Sequence, residues 1–156
     1  IYSSRDQALC VEISIWHQFE FLLSRMTKEI IQPKEMYDPS FRAYSHGVKV
    51  GKFVFVAGQM ANETVGGKRR LVEGDITVQA TQVFKNIEII LKESGATLDQ
   101  VVTMSVYLKD IKDLDKFGEV RKDVFKKNFP TSTSVQVSDF AIEGALVEVN
   151  VTAVLD

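Results

Sequence analysis

Between residues 76 and 91 the apolar positions recur at helical spacing. Ile76, Ala80, Val83, Phe84, Ile87, Ile90 and Leu91 form one stripe, and a stripe that wide has to be buried against another layer. Asp75 stands at the N-cap position and Gly95 where a left-handed C-terminal residue belongs, so the segment carries its own start and stop signals. A second stripe, Leu114, Phe117, Arg121, Val124 and Phe125, predicts a helix from about Asp113 to Asn128, stopped by Pro130.

Strand-like segments surround both helices. Pro33 and Pro39 punctuate an extended stretch with a turn at Asp38-Pro39-Ser40. Residues 45–50 and 53–57 read as two strands joined by Gly51-Lys52, a two-residue hairpin turn of the glycine-first kind. Gly58-Gln59 ends the second strand, and a polar loop is expected from there to Gly74. Residues 101–108 alternate, with Val102, Met104, Val106 and Leu108 in one phase. Residues 131–137 form a strand, 138–144 a connection and 145–154 a last strand. In that last strand Val147, Val149 and Val151 are expected to face the helices, with Leu146, Glu148, Asn150 and Thr152 opposite. The order of elements predicts an α+β fold: a mixed sheet covered on one face by two helices. The other face is half apolar, and self-association is the economical way to cover it.

The 156 residues suit one domain, here 26–156. Residues 1–25 stand apart. Val11, Ile13, Ile15, His17, Phe19, Phe21 and Leu23 fall on alternate positions, a strand period. Two readings stay open for this N-terminal extension: an extra strand, or non-native upstream sequence that packs where it can. Glu12 and Glu20 interrupt the apolar stretch with no basic region before it, which disfavours a signal peptide. Met26 is a plausible start.

Charge and cysteine content exclude some function classes. The net charge of −2 gives no general attraction to nucleic acid or anionic membrane. The one basic cluster, Lys68-Arg69-Arg70, reads as a solvated loop tip or as a phosphate or RNA contact. Cys10 is the single cysteine and the two histidines are far apart, so neither an internal disulfide nor a structural zinc site is expected. No apolar run approaches the ~20 residues of a membrane helix. A lone thiol fits a reducing compartment, the cytoplasm or an organelle.

Ala57-Gly58-Gln59-Met60, the run from Gln79 to Ile87, and the run from Ser105 to Asp110 resemble the YjgF/Rid family, also labelled endoribonuclease L-PSP or translation inhibitor. Phe129-Pro130 and Val147-Glu148-Val149 add to the match, which covers roughly residues 28–156. The resemblance implies chorismate-mutase-like homotrimers with small-molecule pockets in clefts between subunits. It implies hydrolysis of reactive enamines and imines, such as 2-aminoacrylate, to 2-keto acids and ammonia, with no metal or organic cofactor. In the family an arginine on the strand after Phe-Pro binds the substrate carboxylate, and a glutamate on the last strand positions the attacking water.

Carried over residue by residue, the resemblance maps the glutamate to Glu148 and a tyrosine before the first hairpin to Tyr44. The pocket glycine is Gly58, with Ala57 where serine is common and Ser134 where cysteine is common. The arginine position falls on Ser132. In the second helix, a common asparagine becomes Gly118 and a tyrosine becomes Arg121. A serine hydroxyl cannot replace a guanidinium fork, and an unpaired desolvated carboxylate costs at least about 3 kcal/mol, on the order of 100-fold in binding.

Arg121 then has two readings: it snorkels to solvent or pairs with Glu119 or Asp123, or it reaches the cleft and supplies the cation that Ser132 lacks. Glu148 is either an exposed strand carboxylate or the pocket carboxylate; Tyr44 is packing aromatic, pocket wall or both. His46 reads as a strand residue without chemistry. The hydroxyl run Thr131 to Ser134 has no base at a telling spacing and so no activated nucleophile. Three functions compete: an enamine/imine deaminase with altered substrate, a non-catalytic metabolite-binding trimer, and a ribonuclease or translation inhibitor.

Overall fold

A computed structural model describes residues 27–156. The strand-period stretch within 1–25, together with Cys10, His17 and Met26, lies outside the described residues. Helix α1 spans Ile76–Glu93, and every residue of its expected stripe is buried. The Asp75 carboxylate accepts from Thr77 N and Val78 N at 3.0 and 3.1 Å. Gly95 takes the left-handed conformation that ends the helix, with φ 81°. Helix α2 is shorter than its stripe predicted, Leu114–Phe125, entered through a turn of 3-10 helix at Ile111–Asp113. Phe84 of α1 packs on Phe117 and Phe125 of α2, each ring 5.7 Å away.

Both helices lie on one face of a six-stranded sheet. Its strands are β1 Lys28–Ile31, β2 Gly47–Val50, β3 Phe53–Gln59, β6 Val101–Leu108, β7 Thr131–Gln136 and β8 Val147–Val154. Their spatial order is β1-β2-β3-β8-β6-β7. Only β6 and β7 pair in parallel, as the α2 crossover between them requires. Val147, Val149 and Val151 are buried towards the helices, as their phase predicted. The β2–β3 turn is Gly51-Lys52, with Gly51 at φ 58°.

Two expectations are corrected. The segment after Gln59 is not a loop but a separate hairpin, β4 Asn62–Val65 and β5 Lys68–Leu71. Gly66 and Gly67 turn it at φ 57° and 74°, left-handed values that a glycine pair adopts freely. Lys68-Arg69-Arg70 is therefore a strand and not a loop tip. Arg70 Nε donates to Glu63 Oε1 at 2.8 Å, and the Arg69 guanidinium lies 5.4 Å above the Tyr37 ring. In β6, Val102 is exposed while Val101 is buried. The pairing with β8 slips between Val101 and Thr103, and this bulge turns Val102 outward.

Candidate functional site

Glu148 is built by strand register. It lies opposite Tyr107 of β6, between buried Val147 and Val149, so its side chain projects from the face that the helices leave open. On its other flank β3 carries one residue too many: Val56 pairs with Val151 but Gln59 with Val149. The resulting bulge holds Ala57 and Gly58. A Cβ on residue 58 would collide with the Glu148 carboxyl group, so the glycine is what lets the carboxylate lie down against the strand. Beyond it is a recess of about 180 Å³, lined by Tyr107, Val137, Asp139, Phe140, Ala141 and Glu148. Burial raises the Glu148 pKa, because desolvation disfavours the charged form.

The loop that frames this recess is tied at both ends. Lys109 Nζ reaches Asp139 Oδ1 at 3.0 Å and Ser138 O at 2.6 Å. Gln79 of α1 donates to Gly144 O and accepts from Leu146 N, both at 2.9 Å.

Tyr44 belongs to an aromatic group one strand further on. Its hydroxyl meets the Tyr37 hydroxyl at 2.7 Å, and burial followed by that hydrogen bond pushes its pKa up. His46 is fully buried, and its Nε2 lies 2.8 Å from Tyr37 O. It stacks edge-on against both tyrosines. Burial lowers its pKa, which holds the ring neutral. His46 is thus a packing residue that props the start of β2; its carbonyl accepts from Ala57 N at 2.9 Å, the first residue of the bulge.

Ser132 and Ser134, two residues apart on β7, share one face, and it is the helix-side face. They lie beside Met104 and Val106 at the sheet edge, where β7 has no outer neighbour among the described residues. Arg121 comes down onto them from α2, and its Nη1 donates to Ser132 Oγ at 3.0 Å. The guanidinium also lies 5.8 Å from the Phe117 ring centre. Among the described residues it forms no ion pair with Glu119, Asp123 or another carboxylate. Two clefts flank it. One, of about 630 Å³, has Leu114, Asp115, Glu119 and Ser134 in its wall. The other, of about 420 Å³, is walled by Lys122, Phe129 and Pro130. Gly118 lines both, and a Cβ there would meet nothing within 4 Å.

The residues expected to form one pocket are thus divided. Glu148, Gly58 and Ala57 sit at the bulge and the open face; Ser132, Ser134 and Arg121 sit on the opposite face of the same sheet. Within one chain they do not meet. Tyr107, Tyr37 and Phe140 also belong to the surroundings of these sites and were not expected there. Pairing the alternation of β6 with that of β8 would have found Tyr107; no local pattern marks Tyr37 or Phe140. Among the described residues no cluster of His, Cys, Asp and Glu could hold a metal ion, and no helix is long and apolar enough to cross a membrane.

A family model described as endoribonuclease L-PSP matches residues 37–155. A RutC family protein of Pyrococcus abyssi is 42% identical over 113 residues, covering 72% of this chain and 87% of the relative. The human 2-iminobutanoate/2-iminopropanoate deaminase is 33% identical over 111 residues, covering 71% of this chain and 79% of the enzyme. The crystal structure of a Rid-family protein of unknown function from Yersinia pestis superposes with a TM-score of 0.76 at 31% identity, covering 83% of this chain and all of the other.

Proposed function

Since this chain belongs to the endoribonuclease L-PSP family, known also as YjgF/Rid, we propose that it is a cofactor-free deaminase of small 2-imino acids and their enamine tautomers, with Glu148 as its proton-handling group. The observation that carries this reading is the Glu148 carboxyl, half-buried against Gly58 in a recess, with its pKa raised by burial. A carboxylate of raised pKa is a stronger base than one in water. It accepts a proton from water as the water oxygen bonds to the imine carbon, and the C=N electron pair moves to nitrogen. Glu148 returns that proton to the nitrogen, the new hydroxyl's proton follows, and the oxygen electron pair forms C=O as the C–N bond breaks. Ammonia leaves and a 2-oxo acid remains: one water in, one ammonia out.

The site is completed by a second copy of the chain, in a homotrimer. Two observations support this. The Glu148 half and the Ser132 half lie on opposite faces of one sheet, so only another chain can bring them together. The open face also carries Phe53 and Phe55, stacked 6.2 Å apart and about half exposed, apolar surface that a partner would cover.

The test is to generate 2-iminobutanoate in situ with the protein present and to follow ammonia and 2-oxobutanoate. Release above the spontaneous rate, lowered at least about 100-fold by Glu148→Gln, is the expected result. Binding of the oxo acid without any rate enhancement would make the protein a metabolite-binding module instead.

A further inference from the structure

We propose that Arg121 is the substrate-carboxylate-binding residue of this chain, delivering from helix α2 the guanidinium that strand β7 does not carry. This rests on the imino-acid reading above and names the residue on which acid recognition depends.

A guanidinium on the apolar side of a helix normally finds a carboxylate or turns out to water. Here it finds no carboxylate among the described residues and folds back over the sheet edge. It is partly buried, it lies over the Phe117 ring, and its one hydrogen bond among the described residues goes to the neutral Ser132 hydroxyl. That bond uses one N–H of five, and the remaining donors keep the planar fork free for an oxyanion. Ser132 acts as a post: it holds the guanidinium at the place on β7 where a side chain from the strand would otherwise begin.

The ground beside it is vacant by composition. Gly118, one turn before Arg121, sits inside the helix, where glycine costs stability relative to alanine. No neighbour among the described residues requires it, since a Cβ would meet nothing within 4 Å. What the glycine provides is space next to the guanidinium. The two flanking clefts differ in character. Asp115 and Glu119 stand in one, which therefore repels an anion. Lys122, Phe129 and Pro130 stand in the other. The second suits a carboxylate held by Arg121 with Lys122 near, and an apolar substituent against Phe129 and Pro130. The ligand class is a short 2-oxo or 2-imino acid with an aliphatic side chain.

The probe is 2-oxobutanoate, the stable product, compared with its methyl ester by titration calorimetry on the intact protein. Ammonia release is measured in parallel. The wild type is expected to bind the acid and to bind the ester about 10- to 100-fold more weakly; Arg121→Ala should lose a similar factor for the acid and almost nothing for the ester. In turnover the loss should fall mainly on KM. Arg121→Gln, which keeps a donor for Ser132 without the charge, should behave like Arg121→Ala and guards against a simple loss of folding. Adding Ser132→Arg to Arg121→Ala should restore acid binding, which a purely structural role for Arg121 would not allow.

Unchanged acid binding in Arg121→Ala and Arg121→Gln overturns the proposal, and so does a wild type that binds acid and ester alike. Either result leaves the deaminase reading intact if ammonia is still released. Arg121-dependent acid binding without ammonia release has the opposite meaning: the carboxylate site stands and the deaminase reading falls.

Discussion

The Glu148 carboxyl occupies the volume that a side chain at position 58 would need. Gly58 therefore acts by having no side chain. Gly58→Ala should displace the carboxyl without unfolding the sheet, because a glutamate is long enough to swing away from a methyl group. The expected outcome is an unchanged melting temperature to within a few degrees and a loss of at least about tenfold in ammonia release, since small misplacements of a catalytic group are costly.

Glu148 also sets a pH dependence. Its folded pKa is raised by burial, so the native state holds its proton more tightly than the unfolded chain. Any stability linked to that proton is present below the ordinary carboxylate value of 4.5 and is lost as pH rises through the raised folded value. Glu148→Gln should accordingly be more stable than wild type at neutral pH, with the difference vanishing below about pH 4.5. Thermal melts of both proteins at several pH values check this, and a difference that grew on acidification would contradict it.

Helix α2 has an improvable position. Gly118→Ala introduces a methyl group into open space, so the helix should gain roughly 0.5–1 kcal/mol. Urea unfolding reads the gain directly. If the cleft beside Gly118 holds ligand, 2-oxobutanoate affinity should fall in the same variant, a stabilised protein that binds less well.

If copies of the chain meet through the open face, the stacked pair Phe53 and Phe55 makes that contact sensitive to a single charge. Phe55→Asp places a carboxylate in the middle of the open apolar face, and a buried unpaired charge is strongly unfavourable. Sedimentation should show the wild type as a trimer at micromolar concentration and the variant as a smaller species. A wild type that sedimented as a monomer would remove the basis for a shared site.

Much of this fold was legible because periodicity and burial agree. The α1 stripe, its Asp75 cap and the valine phase of β8 needed no tertiary information. Val102 did not follow its phase, because a bulge is a property of two paired strands and leaves no mark on one. The β4–β5 hairpin was hidden by its polarity: Asn62 to Leu71 has no apolar face, and only Gly66-Gly67 signalled a turn. The candidate site was legible residue by residue but not in space. Alternation placed Ser132 and Ser134 together, yet which face they share depends on the parallel pairing of β7 with β6. That pairing separates them from Glu148.

The division of the site between the two faces of one sheet has a genetic consequence. If each working site takes its carboxylate from one chain and its guanidinium from another, the two defects need not be borne together. An Arg121→Ala chain and a Glu148→Gln chain, each crippled alone, would regenerate intact sites wherever the sound half of one met the sound half of the other. Coexpression of two impaired alleles would then restore activity that neither allele supplies alone.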